Sequence, residues 1–123
     1  MNIRYEYNIL PELWRKKKEA VDWLMENVDD QTTYRSFSDT YGFRHAVGQT
    51  QEQADEILRS ALQEFRDATD FGGRVTDITI HQTNTWSVYS IELVVESETT
   101  YRYCVFVSIP DEVTAVQFKL ALS

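Results

Sequence analysis

The residues from 74 to 109 leave this chain little choice of fold. Three consecutive segments alternate apolar and polar side chains with period two, the spacing of a half-buried strand. In RVTDITIHQT, Ile78 and Ile80 share one face and Asp77, Thr79 and His81 the other. In WSVYSIELVVES, Tyr89, Ile91, Leu93 and Val95 oppose Trp86, Val88, Glu92, Val94 and Glu96. In YRYCVFVSI, Tyr101, Tyr103, Val105, Val107 and Ile109 oppose Arg102, Cys104, Phe106 and Ser108. The connections, TNT at 83 to 85 and ETT before Tyr101, are too short for a crossover helix. The strands must therefore run antiparallel, as a meander. The middle one is apolar on both faces, as a central strand is.

The rest of the chain supplies what this sheet packs against. Residues 2 to 9 alternate again, with Ile3, Tyr5 and Tyr7 against Arg4 and Glu6, and predict a further strand. Pro11 suits the first position of a helix, where its missing N–H is no loss. Trp14, Val21, Leu24, Met25 and Val28 then form an apolar stripe at helical spacing, beside a basic run from Arg15 to Lys18. Thr50 followed by Gln53 is a capping-box pattern. It precedes Ala54, Ile57, Leu58, Ala61, Leu62, Phe65 and Ala68 at intervals of three and four, and Gly72 and Gly73 end the helix. Pro110, Asp111 and Glu112 begin a third helix, expected from Asp111 to about Leu120, on which Val113, Val116 and Leu120 line up. The order predicts one α+β domain over 1–123, an antiparallel meander sheet with two or three helices packed on one face.

Composition narrows the function. The 123 residues are 42% hydrophobic and 13% aromatic, which is globular, and the formal net charge is -8. That balance disfavours direct binding to nucleic acid or to an anionic membrane, which needs Lys and Arg to neutralise phosphate. It suits a basic protein partner instead. One cysteine, Cys104, excludes an internal disulfide and fits a reducing compartment. No apolar run reaches the roughly 18 residues of a membrane span, and the first residues carry no leader-like apolar stretch. A soluble, cytoplasmic protein is the expectation.

Catalytic and cofactor patterns are thin. His45, His81 and Cys104 share no metal-ligand spacing, so neither a metal nor a cofactor is expected. Cys104 lies mid-strand, where a cysteine usually packs as a small apolar residue. Ser36 and Ser38 stand near His45 without the G-x-S-x-G elbow. Gly42, Gly48, Gly72 and Gly73 form no phosphate cradle. His81 and Asp77 share a strand face and could do acid–base work, although the expected state of His81 is simple exposure.

The stretch TYRSFSDTYGFRHAVG, 33 to 48, is the candidate surface. It has no clean period, so it holds short strands or carries function. Tyr34, Phe37, Tyr41 and Phe43 interleave with Arg35 and Arg44. Tyr and Arg are enriched at protein interfaces because they join large contact area to a polar tip. The bland alternative is that these rings complete the core. A second candidate is the acidic side of the second helix, with Glu52, Asp55, Glu56, Glu64 and Asp67, as a solvated face or a mimic of a phosphate path.

The tail DEVTAVQFKLALS, with Asp111, Glu112, Ala115, Phe118, Lys119 and Leu120, resembles the tail of many small uncharacterised accessory proteins of tailed bacteriophages. The aromatic that often closes that tail is missing here. The resemblance implies a bacterial host cytoplasm and no activity. The leading expectation is a non-catalytic protein-interaction module, an inhibitor of a host or defence factor. One alternative is a small enzyme or ligand binder, with a pocket between sheet and helices served by His81, Asp77 or His45. The third is a self-assembling component or homodimer, packing through Trp86, Val88, Val94 and Phe106 if no helix covers them.

Overall fold

The computed structural model describes residues 1–28, 31–40, 43–68, 74–95 and 100–122, with the side chains of 31, 62, 64–68, 74 and 95 outside that description. The elements are β1 (Asn2–Tyr7), α1 (Leu10–Asn27), a 3₁₀ turn (Gln31–Thr33), β2 (Arg35–Thr40), β3 (Phe43–Val47), α2 (Gln51–Ala68), β4 (Arg74–Gln82), β5 (Ser87–Val95), β6 (Thr100–Ser108) and α3 (Glu112–Leu122). The six strands form one sheet in the order β1-β6-β5-β4-β2-β3, and every neighbouring pair is antiparallel. The expected meander is its centre, β4-β5-β6. The segment without a clean period resolves into the hairpin β2-β3, which extends the sheet beyond β4.

Alternation sends the strands' apolar residues to two cores. On one face Ile3, Val88, Val105 and Val107 pack with Leu13, Ala20 and Leu24 of α1 and Ala115 and Phe118 of α3. On the other, Phe37, Ile78, Ile80, Ile91, Leu93 and Cys104 pack with Ala54 and Ala61 of α2. The α+β class stands, with two helices sharing one face. The third, α2, lies on the opposite face because its stripe meets the Ile78–Ile91–Cys104 row. Trp86 and Val88 are buried under α1 and α3, and Phe106 sits on the α2 side, so these residues form no open surface for self-assembly.

Local signals explain the helix boundaries. The Thr50 N–H donates to Gln53 Oε1 (3.0 Å) and the Gln53 N–H to Thr50 Oγ1 (3.2 Å), a complete capping box. Thr50→Ala should lower stability by about 1 kcal/mol, read as a lower urea midpoint at unchanged slope; an unmoved midpoint would show that the box is idle. Asp111 caps α3, accepting from the Thr114 N–H (2.9 Å) and hydroxyl (2.6 Å). Gly72 and Gly73 lie outside the described residues.

Two apolar stripes differ from expectation. On α1 the buried line is Leu13, Lys16, Ala20 and Leu24, and Trp14 is 55% exposed. On α3, Ala115 and Phe118 are buried, while Val113, Val116 and Leu120 face outward. The basic run of α1 also divides. Lys16 lies 4.3 Å from the Tyr5 ring centroid and donates to the Leu122 carbonyl, tying α1 to the end of α3. Lys18 pairs with Asp22 at 2.7 Å on the exposed side. Lys17 turns toward the sheet. Among the described residues no helix is long and apolar enough to cross a membrane.

Candidate functional site

Strand register places the polar residues of this chain in rows on the face shared with α1 and α3. Phe43, Thr40, Asp77 and Glu92 stand side by side across β3, β2, β4 and β5. The next row is His45, Ser38, Thr79 and Ser90, and the next Val47, Ser36, His81 and Val88. Exposure rises along these rows. Val88, Ser90 and Glu92 are buried, Asp77, Thr79 and His81 half-buried, and Phe43, His45 and Val47 exposed. The half of the sheet made by β4, β2 and β3 is thus an open floor of hydroxyls, a carboxylate and two imidazoles. Trp14 and Lys17 of α1 border it at one side, and Phe43, 81% exposed, and Val47 at the other.

The floor is internally tied. The Tyr34 hydroxyl and His81 Nδ1 lie 2.6 Å apart, hydrogen-bonded, with the rings stacked at 6.1 Å between centroids. His81 is therefore a packed group, which corrects the expected exposure. Burial, and secondarily the charge of Lys17, push its pKa down to about 4, so the ring is neutral near pH 7. Asp77 stands directly opposite Glu92. Burial first, then the Glu92 charge, push the Asp77 carboxyl above its usual range, against a hydrogen bond from Thr40 and the charge of Lys17. Glu92 is 5% exposed and accepts from the Thr76 hydroxyl at 2.9 Å.

The aromatic–arginine stretch does not form one surface, because its residues belong to strands and alternate between faces. Tyr34 and Phe43 lie on the open floor side. Phe37, only 1% exposed, is in the α2-side core, which corrects its assignment to an interface. Arg35 lies on that side too, hydrogen-bonded to Asn84 Oδ1 (3.3 Å). Arg44 pairs with Asp39 (3.4 Å) and Asp55, tying the β2-β3 hairpin to α2. Tyr41 lies outside the described residues.

Of the acidic side of α2, Glu52 and Glu56 are exposed. Asp55 is engaged by Arg44 and by Gln51 Nε2 (3.1 Å), so it is not a spare charge. The side chains of Glu64 and Asp67 lie outside the described residues. His45 is exposed on β3, in the row of Thr79 but two strands' width from it. Cys104 is fully buried, and burial pushes its thiol pKa up, away from reactivity. No group of three or more His, Cys, Asp and Glu residues placed to hold a metal ion occurs among the described residues.

Sequence reasoning passed over Trp14, Lys17, Ser90 and Glu92. One signal was available. Closing the hairpin at residues 83–86 pairs Gln82 with Ser87, and counting back along both strands puts Asp77 opposite Glu92. Two acids in register on central strands mark a face that an apolar helix does not cover. No such signal announces the side of α1 on which Trp14 and Lys17 lie. Compared with known protein families, curated proteins and solved structures, the chain matches none of them.

Proposed function

We propose that this chain is a non-catalytic protein-interaction module whose docking surface is the open half of the sheet. The observation that carries this reading is the exposure of Phe43 on an outer strand, facing the same way as Val47 and flanking a polar floor. Large apolar side chains around polar groups are what a partner's element can bury. α1 and α3 already cover the other half of this face, and a partner helix or strand would complete the layer. The net charge of -8 and the half-buried Asp77 favour a partner that brings Lys or Arg beside its apolar ridge. A host or defence factor in a bacterial cytoplasm is the context that the phage-like tail suggests.

The test uses tagged protein as bait in bacterial lysate, with Phe43→Ala and Leu120→Ala as parallel baits. Phe43→Ala should weaken capture of a stoichiometric partner about tenfold or more with no change in Tm. Equal capture by Phe43→Ala with loss on Leu120→Ala would move the interface to the outer side of α3. Recovery of a second copy of the chain alone would replace the module with a self-assembling component.

A further inference from the structure

The outer side of α3 is a second place where packing leaves large apolar side chains in water. Val113, Val116 and Leu120 are 66%, 48% and 79% exposed. They recur at intervals of three and four, so they form one stripe along the helix. Ala115 and Phe118, both fully buried, occupy the opposite side and hold α3 in the core beneath it. α3 is thus apolar on two opposite sides, the pattern of a helix covered on both, and the chain itself covers only one. Apolar residues exposed singly are ordinary; three in line on a helix of 11 residues mark a contact.

Two charges beside the stripe say what covers it. Glu112 and Lys119 are exposed and seven residues apart, so they lie on one flank of the stripe, the acid where α3 starts and the base near its end. Neither makes an ion pair among the described residues. The other flank, with Gln117 and Ala121, carries no charge. Two copies of α3 laid antiparallel, stripe against stripe, bring their like flanks side by side. Glu112 then meets the partner's Lys119, and Lys119 the partner's Glu112. The same register sets Val113 against the partner's Leu120 and brings the two Val116 side chains together at the centre. A parallel pair would set the charged flank of one copy against the uncharged flank of the other. We infer that the outer side of α3 binds a second copy of this chain, antiparallel about a twofold axis, with the Glu112–Lys119 pairs on the rim of the contact. A helix of 11 residues is about 16 Å long, too short to bury the roughly 800 Å² per partner of a standard interface. The net charge of -8 on each copy adds repulsion. The dimer is therefore weak, with a Kd of about 100 µM. It uses neither Phe43 nor Val47, so it stands or falls separately from the docking surface.

The experiment is sedimentation equilibrium of the whole chain from about 10 µM to about 1 mM, in about 0.15 M salt. The average mass should rise from that of one chain toward that of two. Leu120→Gln should weaken association about tenfold or more at unchanged Tm, because the Leu120 side chain packs against little within one chain. Phe43→Ala should associate like the wild type. Glu112→Lys and Lys119→Glu should each weaken association about tenfold, since each sets like charges together on both rims of the contact. Mixed in equal amounts, those two variants should associate as well as the wild type, because each supplies the charge that the other lacks. A wild-type chain that remains a monomer to about 1 mM overturns the inference. So does a dimer that Leu120→Gln leaves intact. A mixture that associates no better than either charge variant alone overturns it as well, because the copies then do not meet in this register. Association lost on Phe43→Ala and kept on Leu120→Gln would put the second copy on the open half of the sheet instead, and also overturns it.

Discussion

Phe37→Ala should cost about 3–5 kcal/mol of stability, and Phe43→Ala, six residues on, less than about 0.5. The two rings look alike in sequence, both lying in the same aromatic stretch, Phe37 between Ser36 and Ser38 and Phe43 between Gly42 and Arg44. They differ because β2 and β3 pair in the register that sets Phe37 against Ala46 and Ile80, facing α2, and Phe43 against Thr40, facing away from it. Removing the Phe37 ring leaves a void among Ile78, Ile80 and Ala54, which a sheet and a helix cannot close together to fill. A domain of this size holds only about 5–15 kcal/mol in all. Phe37→Ala should therefore be marginal, with a urea midpoint shifted far below the wild type. Phe43→Ala should overlay the wild-type curve while losing the partner. Equal costs for the two substitutions would mean that the hairpin register is wrong.

Much of this architecture was legible because period two is an unambiguous signal over nine or ten residues. The strands containing Ile78, Ile91 and Val105 were found by it, and so was α2 by its capping box and apolar stripe. The stretch from 33 to 48 was less legible because it holds two short strands, of six and five residues. Over so few residues a polar strand face reads like a loop. Once β2 and β3 are recognised as strands, alternation alone separates Phe37 and Arg44 from Tyr34 and Phe43.

The candidate floor failed for a different reason. It is built from single residues of four strands and one helix, and its rows exist only through register. A local window along the chain cannot see Asp77 beside Glu92, or Lys17 above them. The helix faces failed through composition. α1 buries Lys16 and exposes Trp14, and α3 buries small Ala115 and exposes Val113, Val116 and Leu120. Hydrophobicity ranks those residues the other way. What decided the faces was the line of contact with the sheet and, for Lys16, a carbonyl at the end of α3 within reach of its amine. The lesson of both helices is that exposed large apolar residues, here Trp14 and Phe43, are informative because packing did not claim them.

The stability of the chain should fall as the pH drops from about 6.5 to about 4, and His81 should account for about 2 kcal/mol of that fall. In the folded chain the His81 pKa is lowered from 6.5 to about 4 by burial and by Lys17. Above pH 6.5 the ring is neutral in both the folded and unfolded states, and its contribution is complete. Between 6.5 and 4 the unfolded chain takes up a proton that the folded chain refuses, so unfolding becomes easier; below 4 both are charged and the loss levels off. A shift of that size corresponds to about 3 kcal/mol, trimmed to about 2 because the ring is only partly buried. Asp77 works against this trend. Its raised pKa means that the folded state binds a proton more readily than the unfolded one, so acidification toward the ordinary carboxylate range relieves it. The His81 part is isolated by comparison with His81→Gln, which keeps a hydrogen-bonding group for Tyr34 and cannot titrate. Stability measured by urea at pH 7, 5.5 and 4.5 should fall more steeply in the wild-type chain than in His81→Gln. The imidazole resonances should titrate with a midpoint near 4 in the folded protein. A midpoint near 6.5, with parallel stability curves for the two chains, would mean that His81 is solvated and that the Tyr34 stack does not shield it.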